Sequence, residues 1–307
     1  MRFAIVGSGA VGGYYGAKLA RAGHEVTFLA RGDHLAAIRE RGLTVKSSLG
    51  DFTVQARAED DPAKVPPVDV ALFTVKAYSN RDALPSLKAV MRDQAVVLTL
   101  QNGVDSIEEI AAHVGEARTL GGATYIAASR SAPGLVEQTG SHRRIVFGEA
   151  FGDPAGVSER VRRISDALSS ADIVSEPAAN ARVPIWEKFC FLSPFAAFTG
   201  AARLPIGPLW ADDDVRGQMI AAFGELEAVA KAEGVALAPG IVDRIVKHVD
   251  TLPPTTRSSL LIDLQLGKPI EVEALLGTVV RRGARANVST PILAALYAVL
   301  KPHAGNR

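Results

Sequence analysis

The N-terminal run "MRFAIVGSGAVGGYYGAKLA" most limits how this 307-residue chain can fold. An apolar stretch is followed at once by glycines in a G-x-G-x-x-G pattern, Gly7, Gly9 and Gly12, and then by a helix-like segment. Gly7 suits a tight turn, Gly9 lets the backbone approach a pyrophosphate at the helix N-terminus, and Gly12 permits close packing of helix on strand. A plain glycine turn is the alternative. The strand–turn–helix context favours a dinucleotide site.

The second apolar run, "EVTFLAR", ends at Arg31. An acidic residue at this position would accept hydrogen bonds from both ribose hydroxyls and select NAD. Arg31 cannot accept a hydrogen bond, but its guanidinium suits a 2′-phosphate. A solvated surface arginine is one alternative, and Asp33 in the following loop is another candidate acceptor. The pattern favours NADPH and argues against an FAD-type fold.

Short β-branched runs alternate with helix-like segments through the first half of the chain. The predicted strands are Phe3–Val6, Val26–Ala30, Val70–Val75 and Val96–Leu100, separated by predicted helices at Gly12–Ala22, His34–Arg41, Ser79–Met91 and Ser106–His113. Such alternation is typical of a doubly wound parallel sheet. Further on, two runs that flank "GSH", Gly134–Thr139 and Arg143–Gly148, predict an antiparallel hairpin.

After Pro184 the pattern becomes helical throughout, with Gly, Pro and Asp between the segments. We therefore predict an α/β chain with two domains: an N-terminal Rossmann-type doubly wound parallel sheet over residues 1–182, and an all-α C-terminal domain over residues 183–307. In this second domain the predicted helices include Pro184–Gly200 and Ile270–Ala286.

Polar residues follow the third and fourth predicted strands of the Rossmann sheet. Lys76 comes after one strand and Asn102-Gly103 after the next. Ligands of open α/β sheets bind at the carboxyl ends of the strands, so these side chains are candidates to reach cofactor or substrate. A turn at Asn102-Gly103 and a solvent-facing Lys76 are the alternatives.

The helical domain contains three further candidate residues. Lys188 lies among aromatic residues in "VPIWEKFCFL", where burial would lower its pKa and suit it to donate a proton, unless it extends its ammonium into solvent. Ser259 is predicted on a helix face. Glu271 is predicted in the first turn of the next helix, where an acid is favoured by the helix dipole in any case.

Composition excludes several classes of function. A net charge of +1 gives no electrostatic case for nucleic acid or an anionic membrane, and Cys190 is the only cysteine. The histidines lack metal-ligand spacing, so we predict no metal. The early apolar run is interrupted by glycines, and we expect a cytoplasmic protein with a small-molecule substrate. A homodimer remains an alternative to a monomer, because apolar helix faces of the second domain are available to form an interface.

With these motifs in order, the chain resembles the ketopantoate reductase family (2-dehydropantoate 2-reductase), whose members reduce ketopantoate to D-pantoate with NADPH during pantothenate biosynthesis. The resemblance runs nearly end to end. It is carried by "GSGAVGG", Arg31, "TVKAY", "QNGVDSIEE", the W-x-K at Trp186–Lys188 and "SSLLIDLQLGKPIEVE".

The resemblance implies a role for each candidate. Lys188 corresponds to the catalytic lysine and Glu271 to the active-site glutamate. Asn102 corresponds to an asparagine that contacts cofactor and substrate, and Ser259 to the serine that holds the substrate carboxylate. Lys76 and Arg31 correspond to residues that reach the cofactor. The implied cofactor-binding residues are Gly7, Ser8, Gly9, Ala10, Val11, Gly12, Arg31, Lys76 and Asn102.

The chain departs from the family at two positions. The better-studied members of the family carry asparagines four and eight residues after the lysine, whereas this chain has Leu192 and Ala196. Both positions are predicted to line the substrate pocket, and Ser193 or a water is a candidate to replace the lost hydrogen bond. These two positions leave a reductase of a more apolar 2-oxo acid as an alternative. Two others rest on the Rossmann motifs and the two-domain plan: a non-catalytic NADPH sensor, and a β-hydroxyacid or 6-phosphogluconate-type dehydrogenase, which fits the Asn102-Gly103 and Ser259–Glu271 segments less well.

Overall fold

The computed structural model describes residues 1–92, 94–152 and 155–305. Its residues divide into two compact units. Unit 1 comprises Met1–Gln101 and Ser106–Pro184, and unit 2 comprises Asn102–Asp105 and Ile185–Arg307. The short segment Asn102–Asp105 therefore packs with unit 2, although it lies between two stretches of unit 1.

Unit 1 is built on a mixed sheet that has ten strands in the described part of the chain. The strands are β1 (Arg2–Val6), β2 (Glu25–Leu29), β3 (Leu43–Ser47), β4 (Phe52–Val54), β5 (Arg57–Glu59), β6 (Val70–Phe73), β7 (Val96–Thr99), β8 (Thr119–Ala132), β9 (Leu135–Glu149) and β10 (Val174–Asn180). Their order is β4-β3-β9-β8-β7-β6-β1-β2-β5, and β10 pairs with β9. The run from β8 to β5 is parallel, which confirms the predicted Rossmann-type sheet.

Helices cover both faces of this sheet. They are α1 (Ala10–Arg21), α2 (Gly32–Arg41), α3 (Asn80–Val90), α4 (Ser106–Val114) and α5 (Glu159–Ser170). Alternate side chains of β1 enter different apolar clusters: Phe3 and Ile5 join the cluster that includes α1 and α5, whereas Ala4 and Val6 join the cluster that includes α3 and α4. Because both faces of β1 are buried from Phe3 to Val6, its sequence is continuously apolar over those residues, as expected for a central parallel strand.

The predicted hairpin around "GSH" is wrong. Residues 140–142 lie inside β9, which pairs antiparallel with β8, and the reversal of the chain falls at Pro133-Gly134. The glycine at 140 does mark a change in backbone direction, since Gly140 has a φ of +72°. Opposite it, the register of β8 shifts between Tyr125 and Ala127. A bulge interrupts the pairing at that point, and the strand continues beyond it.

Unit 2 is helical over its described residues. It contains α6 (Arg182–Ala202), which begins in unit 1, and α7 (Ile206–Ala211), α8 (Asp213–Ala232), α9 (Ile241–Asp250), α10 (Ser259–Gln265), α11 (Thr278–Arg285) and α12 (Pro291–Leu300). The single helix predicted over Ile270–Ala286 is corrected: a π-helical segment, Glu273–Gly277, precedes α11. π-Helical turns are rare and occur frequently at functional sites.

Candidate active site

The glycine loop of unit 1 has the geometry that a dinucleotide pyrophosphate requires. Gly7 has a φ of +102°, and a Cβ added there would lie 2.5 Å from the Val75 backbone nitrogen. A Cβ on Gly12 would lie 2.3 Å from the Gly7 carbonyl oxygen. At Gly9, by contrast, a Cβ would meet no atom within 4 Å, so the space before the N-terminus of α1 is open. No side chain caps this helix, which leaves its first N–H groups suited to an anion.

Side chains that sequence analysis did not single out hold this loop in place. The Thr74 hydroxyl donates to the Gly7 carbonyl oxygen at 2.8 Å. The buried His34 ring lies 2.6 Å, through Nε2, from the Ser8 carbonyl oxygen, and its Nδ1 accepts from the Gly134 N–H at 2.9 Å. These contacts assign a neutral ring with its proton on Nε2. Burial lowers the pKa of His34, which favours that neutral form.

Among the predicted cofactor contacts, Ser8 is turned away from the loop opening. Its hydroxyl donates to the Leu29 carbonyl oxygen at 2.9 Å, so its backbone N–H is the group left for a ligand. Arg31 precedes α2 and is exposed. Lys76 follows β6 and is half-buried, directly after Val75, which contacts Gly7.

Unit 2 brings Lys188, Asn102 and Glu271 together. The Lys188 ammonium on α6 donates to the Asn102 side-chain oxygen at 2.9 Å. Burial lowers the pKa of Lys188 to about 8, while the negative charge of Glu271 acts to raise it. Glu271 is itself buried, with 7% of its surface exposed. The residues are far apart in the sequence, and their convergence creates a partly desolvated ammonium whose pKa is well below that of an ordinary lysine.

Close backbone packing accounts for the position of Asn102. The next residue, Gly103, has a φ of +93°, and a Cβ there would lie 2.8 Å from the Ala274 carbonyl oxygen in the π-helical segment. Asn102-Gly103 is therefore more than a turn. Only glycine permits the approach of this strand-end loop to the segment that follows Glu271.

The predicted substrate residues differ in exposure. Ser259 is exposed at the first position of α10, which the buried Ser258 caps by accepting from the Leu261 N–H at 3.0 Å. On α6, Leu192 is half-buried and Ala196 is fully buried. Ser193 is also fully buried, and its hydroxyl donates to the Leu275 carbonyl oxygen at 2.7 Å. The Ser193 hydroxyl is thus committed to the protein and does not replace the missing family asparagines as a donor.

Sequence reasoning also missed a partly buried ionic cluster beside Asn102. It consists of Asp105, Arg282 and Glu233, joined by the hydroxyl of Thr278. Arg282 is 3% exposed, which is rare for an arginine and is tolerated because carboxylates neutralise it. The only feature of the sequence that indicated this cluster was Arg282 itself, a basic residue on an otherwise apolar helix face.

No helix in the described ranges is long and apolar enough to cross a membrane.

The N-terminal part of the chain, residues 3–152, matches the family model described as Ketopantoate reductase PanE/ApbA. Residues 180–304 match the model for the C-terminal part of the same family.

The chain aligns with its relatives over almost the full length of both sequences. An uncharacterized oxidoreductase, YkpB, of Bacillus subtilis is 28% identical and is covered over 98% of both chains. A 2-dehydropantoate 2-reductase of Nostoc is 30% identical, covering 98% of this chain and 94% of that protein.

A crystal structure of a PanE/ApbA family ketopantoate reductase from Ralstonia eutropha superposes with a TM-score of 0.90 at 32% identity. The match covers 99% of this chain and 98% of that one. It confirms the predicted fold class, a parallel-sheet domain followed by a helical one. This structure, the two matching family models and the relatives lead to one conclusion: the chain belongs to the ketopantoate reductase family of oxidoreductases.

Proposed function

We propose that the protein reduces a 2-oxo acid with NADPH, and that this acid is ketopantoate (2-dehydropantoate), which becomes D-pantoate on the route to pantothenate. The observation that carries the proposal is the Lys188 ammonium, held on Asn102 and near Glu271, with a pKa of about 8. Family membership and the names of the relatives support the substrate.

Lys188 is the proposed proton donor. Reduction of a carbonyl develops negative charge on its oxygen, and a nearby ammonium stabilises that charge and then protonates it. A pKa of about 8 keeps the amine mostly protonated at neutral pH and yet ready to release its proton. Asn102 orients the ammonium. Glu271 binds a substrate hydroxyl or acts on the lysine, and Ser259 binds the substrate carboxylate.

Unit 1 carries the residues proposed to bind the cofactor. The open space at Gly9 and the uncapped N-terminus of α1 fit a pyrophosphate. Arg31 would bind the 2′-phosphate, and Lys76 would reach the ribose or nicotinamide. When bound, NADPH supplies the hydride for the carbonyl carbon. We retain residues 1–182 as the NADP-binding domain and residues 183–307 as the substrate domain, and the segment around Asn102 contributes to both functions.

Leu192 and Ala196 favour a second substrate candidate, a 2-oxo acid with a more apolar tail. Neither side chain donates a hydrogen bond, and the Ser193 hydroxyl is committed to Leu275. A pocket built without such donors discriminates weakly against an analogue that lacks a hydroxyl. Ketopantoate remains the first candidate because the remaining family motifs are present.

The test is NADPH oxidation, followed by its absorbance, against a panel of 2-oxo acids that includes ketopantoate and its deoxy analogue. We expect turnover of at least one acid by the wild-type protein and a kcat lower by roughly 10²–10⁴ for the matched Lys188→Ala variant. Tight NADPH binding without turnover of any acid would contradict the proposal and favour the sensor alternative.

A further inference from the structure

The segment that carries Asn102 is anchored within unit 2 by an ionic cluster in which the arginine is buried and the two carboxylates are half-buried. The Asp105 carboxylate accepts from the Thr278 hydroxyl at 2.7 Å and from the Arg282 Nε at 2.8 Å. Arg282 in turn donates through Nη1 to Glu233 at 2.7 Å. The segment is therefore attached to α11 by charge-assisted hydrogen bonds at Asp105, three residues after Asn102.

The same arginine also supports the helix that carries Lys188. The Arg282 guanidinium carbon lies 6.0 Å from the ring centre of Trp186, two residues before Lys188 on α6. Trp186 is 3% exposed, so its ring and the guanidinium share a buried contact. Arg282 thus binds Asp105, whose segment carries Asn102, and lies beside the Trp186 ring on α6.

Stability alone gives a weak reason for such a cluster. Replacement of a buried ion pair by apolar residues of similar volume is often neutral or stabilising, because desolvation offsets the charge attraction. The pair does impose a specific geometry, since the Oδ1 atom of Asp105 must meet both the Thr278 hydroxyl and the Arg282 Nε. The Gly103–Ala274 approach adds a second constraint on the same segment.

We propose that Asp105, Thr278 and Arg282 are positioning residues that hold the Asn102 side-chain oxygen against the Lys188 ammonium. They act through Asn102 and Trp186 and contact no substrate themselves. The proposal rests on the proposed function, in which Lys188 donates the proton. Displacement of a catalytic group by about 1 Å can lower a rate by about a hundredfold, so modest movement of Asn102 is enough to matter.

The first experiment uses a matched pair at Thr278. Thr278→Val keeps the side-chain volume and every charge but removes the hydroxyl that binds Asp105, whereas Thr278→Ser keeps the hydroxyl. We expect kcat for Thr278→Val to fall about tenfold at saturating NADPH, with the Kd for NADPH unchanged. Thr278→Ser should restore most of that loss. Equal kcat values for the Val and Ser variants would overturn the proposal.

The second experiment is a double-mutant cycle with Asp105→Asn and Asn102→Ala. If Asp105 acts through Asn102, its substitution should lower kcat in the wild-type background and have little further effect once Asn102 is alanine. Fully additive effects would show that Asp105 acts by another route. Thermal unfolding identifies any variant that fails to fold, and the volume-matched Thr278 pair then decides the outcome.

A third measurement needs no turnover and so separates failure of this inference from failure of the proposed function. The pKa of Lys188 is followed by NMR of ¹³Cε-labelled lysine, with the resonance assigned through Lys188→Arg. Loss of the Asn102 acceptor disfavours the ammonium, so the Lys188 pKa should be lower in Thr278→Val than in wild type. Glu271, the charged group that raises this pKa, is present in every variant. An unchanged pKa in Thr278→Val would refute the positioning role even if no 2-oxo acid is reduced.

Discussion

Lys188 combines two opposing requirements at the scale of a single residue. Burial favours the neutral amine, while the Asn102 oxygen and the Glu271 charge favour the ammonium. The balance sets its pKa at about 8. The aromatic setting of Lys188 in the sequence predicted a lowered pKa, and the structure confirms that direction.

We expect the proposed proton donor to impose a pH dependence on the reduction. Because a donor must be protonated, kcat/KM should be level below about pH 8 and fall as pH rises through that value. Lys188→Ala should lower kcat by roughly 10²–10⁴ and remove this decline, with NADPH affinity nearly unchanged. A variant with near wild-type kcat would show that another group supplies the proton.

Arg31 provides a separate prediction about the cofactor. Wild-type kcat/KM should favour NADPH over NADH, and Arg31→Ala should remove most of that preference by loss of about 1.5–3 kcal/mol from a charge-assisted contact, roughly tenfold to a hundredfold. The neighbouring exposed Asp33→Ala is the matched control and should not reduce the preference. Equal use of both cofactors by the wild-type protein contradicts this prediction.

Leu192 and Ala196 provide the prediction about the substrate. The double variant Leu192→Asn, Ala196→Asn should raise kcat/KM for ketopantoate relative to its deoxy analogue, since asparagine can pair with the hydroxyl. Ala196 is fully buried, so an amide there costs about 1–3 kcal/mol of stability unless it finds a partner. A hundredfold or greater preference for ketopantoate by the wild-type protein would exclude an apolar pocket.

At the scale of elements, the glycine loop depends on a side chain from α2. His34 connects the Ser8 carbonyl oxygen to the Gly134 N–H at the β8–β9 turn, and so links three elements. Its ring must be neutral at Nδ1 to accept. Protonation of Nδ1 would place its N–H against the Gly134 N–H, so that two donors face each other. This is consistent with the lowered pKa of His34.

This contact predicts a loss of stability in acid. The pKa of His34 is lower in the folded protein than its ordinary value near 6.5, so the unfolded chain binds more protons below that pH. The contribution of His34 is therefore complete above about pH 6.5 and is lost as pH falls toward the folded pKa. His34→Gln should flatten the decline of Tm between about pH 7 and 5.

The control for this prediction is His142→Gln, at an exposed position in the bulge of β9. It should leave the pH dependence of Tm as in the wild type. The His34 variant should also be less stable at neutral pH by about 1–3 kcal/mol, because two buried backbone groups lose their partner. An unchanged pH slope in His34→Gln would contradict the assigned role of the ring.

At the scale of the whole molecule, cofactor binding should be visible as stabilisation. A ligand that binds only the native state at a hundred times its Kd adds about 2.7 kcal/mol to the free energy of unfolding. NADPH should therefore raise Tm in differential scanning fluorimetry, and the same concentration of NADH should raise it less. Equal shifts for both cofactors would contradict the role proposed for Arg31.

Local signals were enough to predict the Rossmann core and the helical second half. The G-x-G-x-x-G run, the continuous apolar strands and the loss of strand patterns after Pro184 are properties of adjacent residues, and backbone sterics and periodicity determine their structure. The order of motifs along the chain likewise predicted the family and nominated Lys188, Asn102 and Glu271.

Only the tertiary structure decided features that depend on residues distant in sequence. Gly140 carries a turn signal, yet it forms a bulge because β8 continues to pair on both sides of it. The roles of His34 and Arg282 follow from partners 26 and 177 residues away, which no local pattern reveals. Asn102 meets Lys188 86 residues away, and its neighbours Gly103 and Asp105 meet Ala274 and Arg282, which are also remote in sequence. Desolvation and pairing of charges belong to the folded interior, so the sequence nominated the candidate residues and the fold set their contacts and the direction of the Lys188 pKa shift.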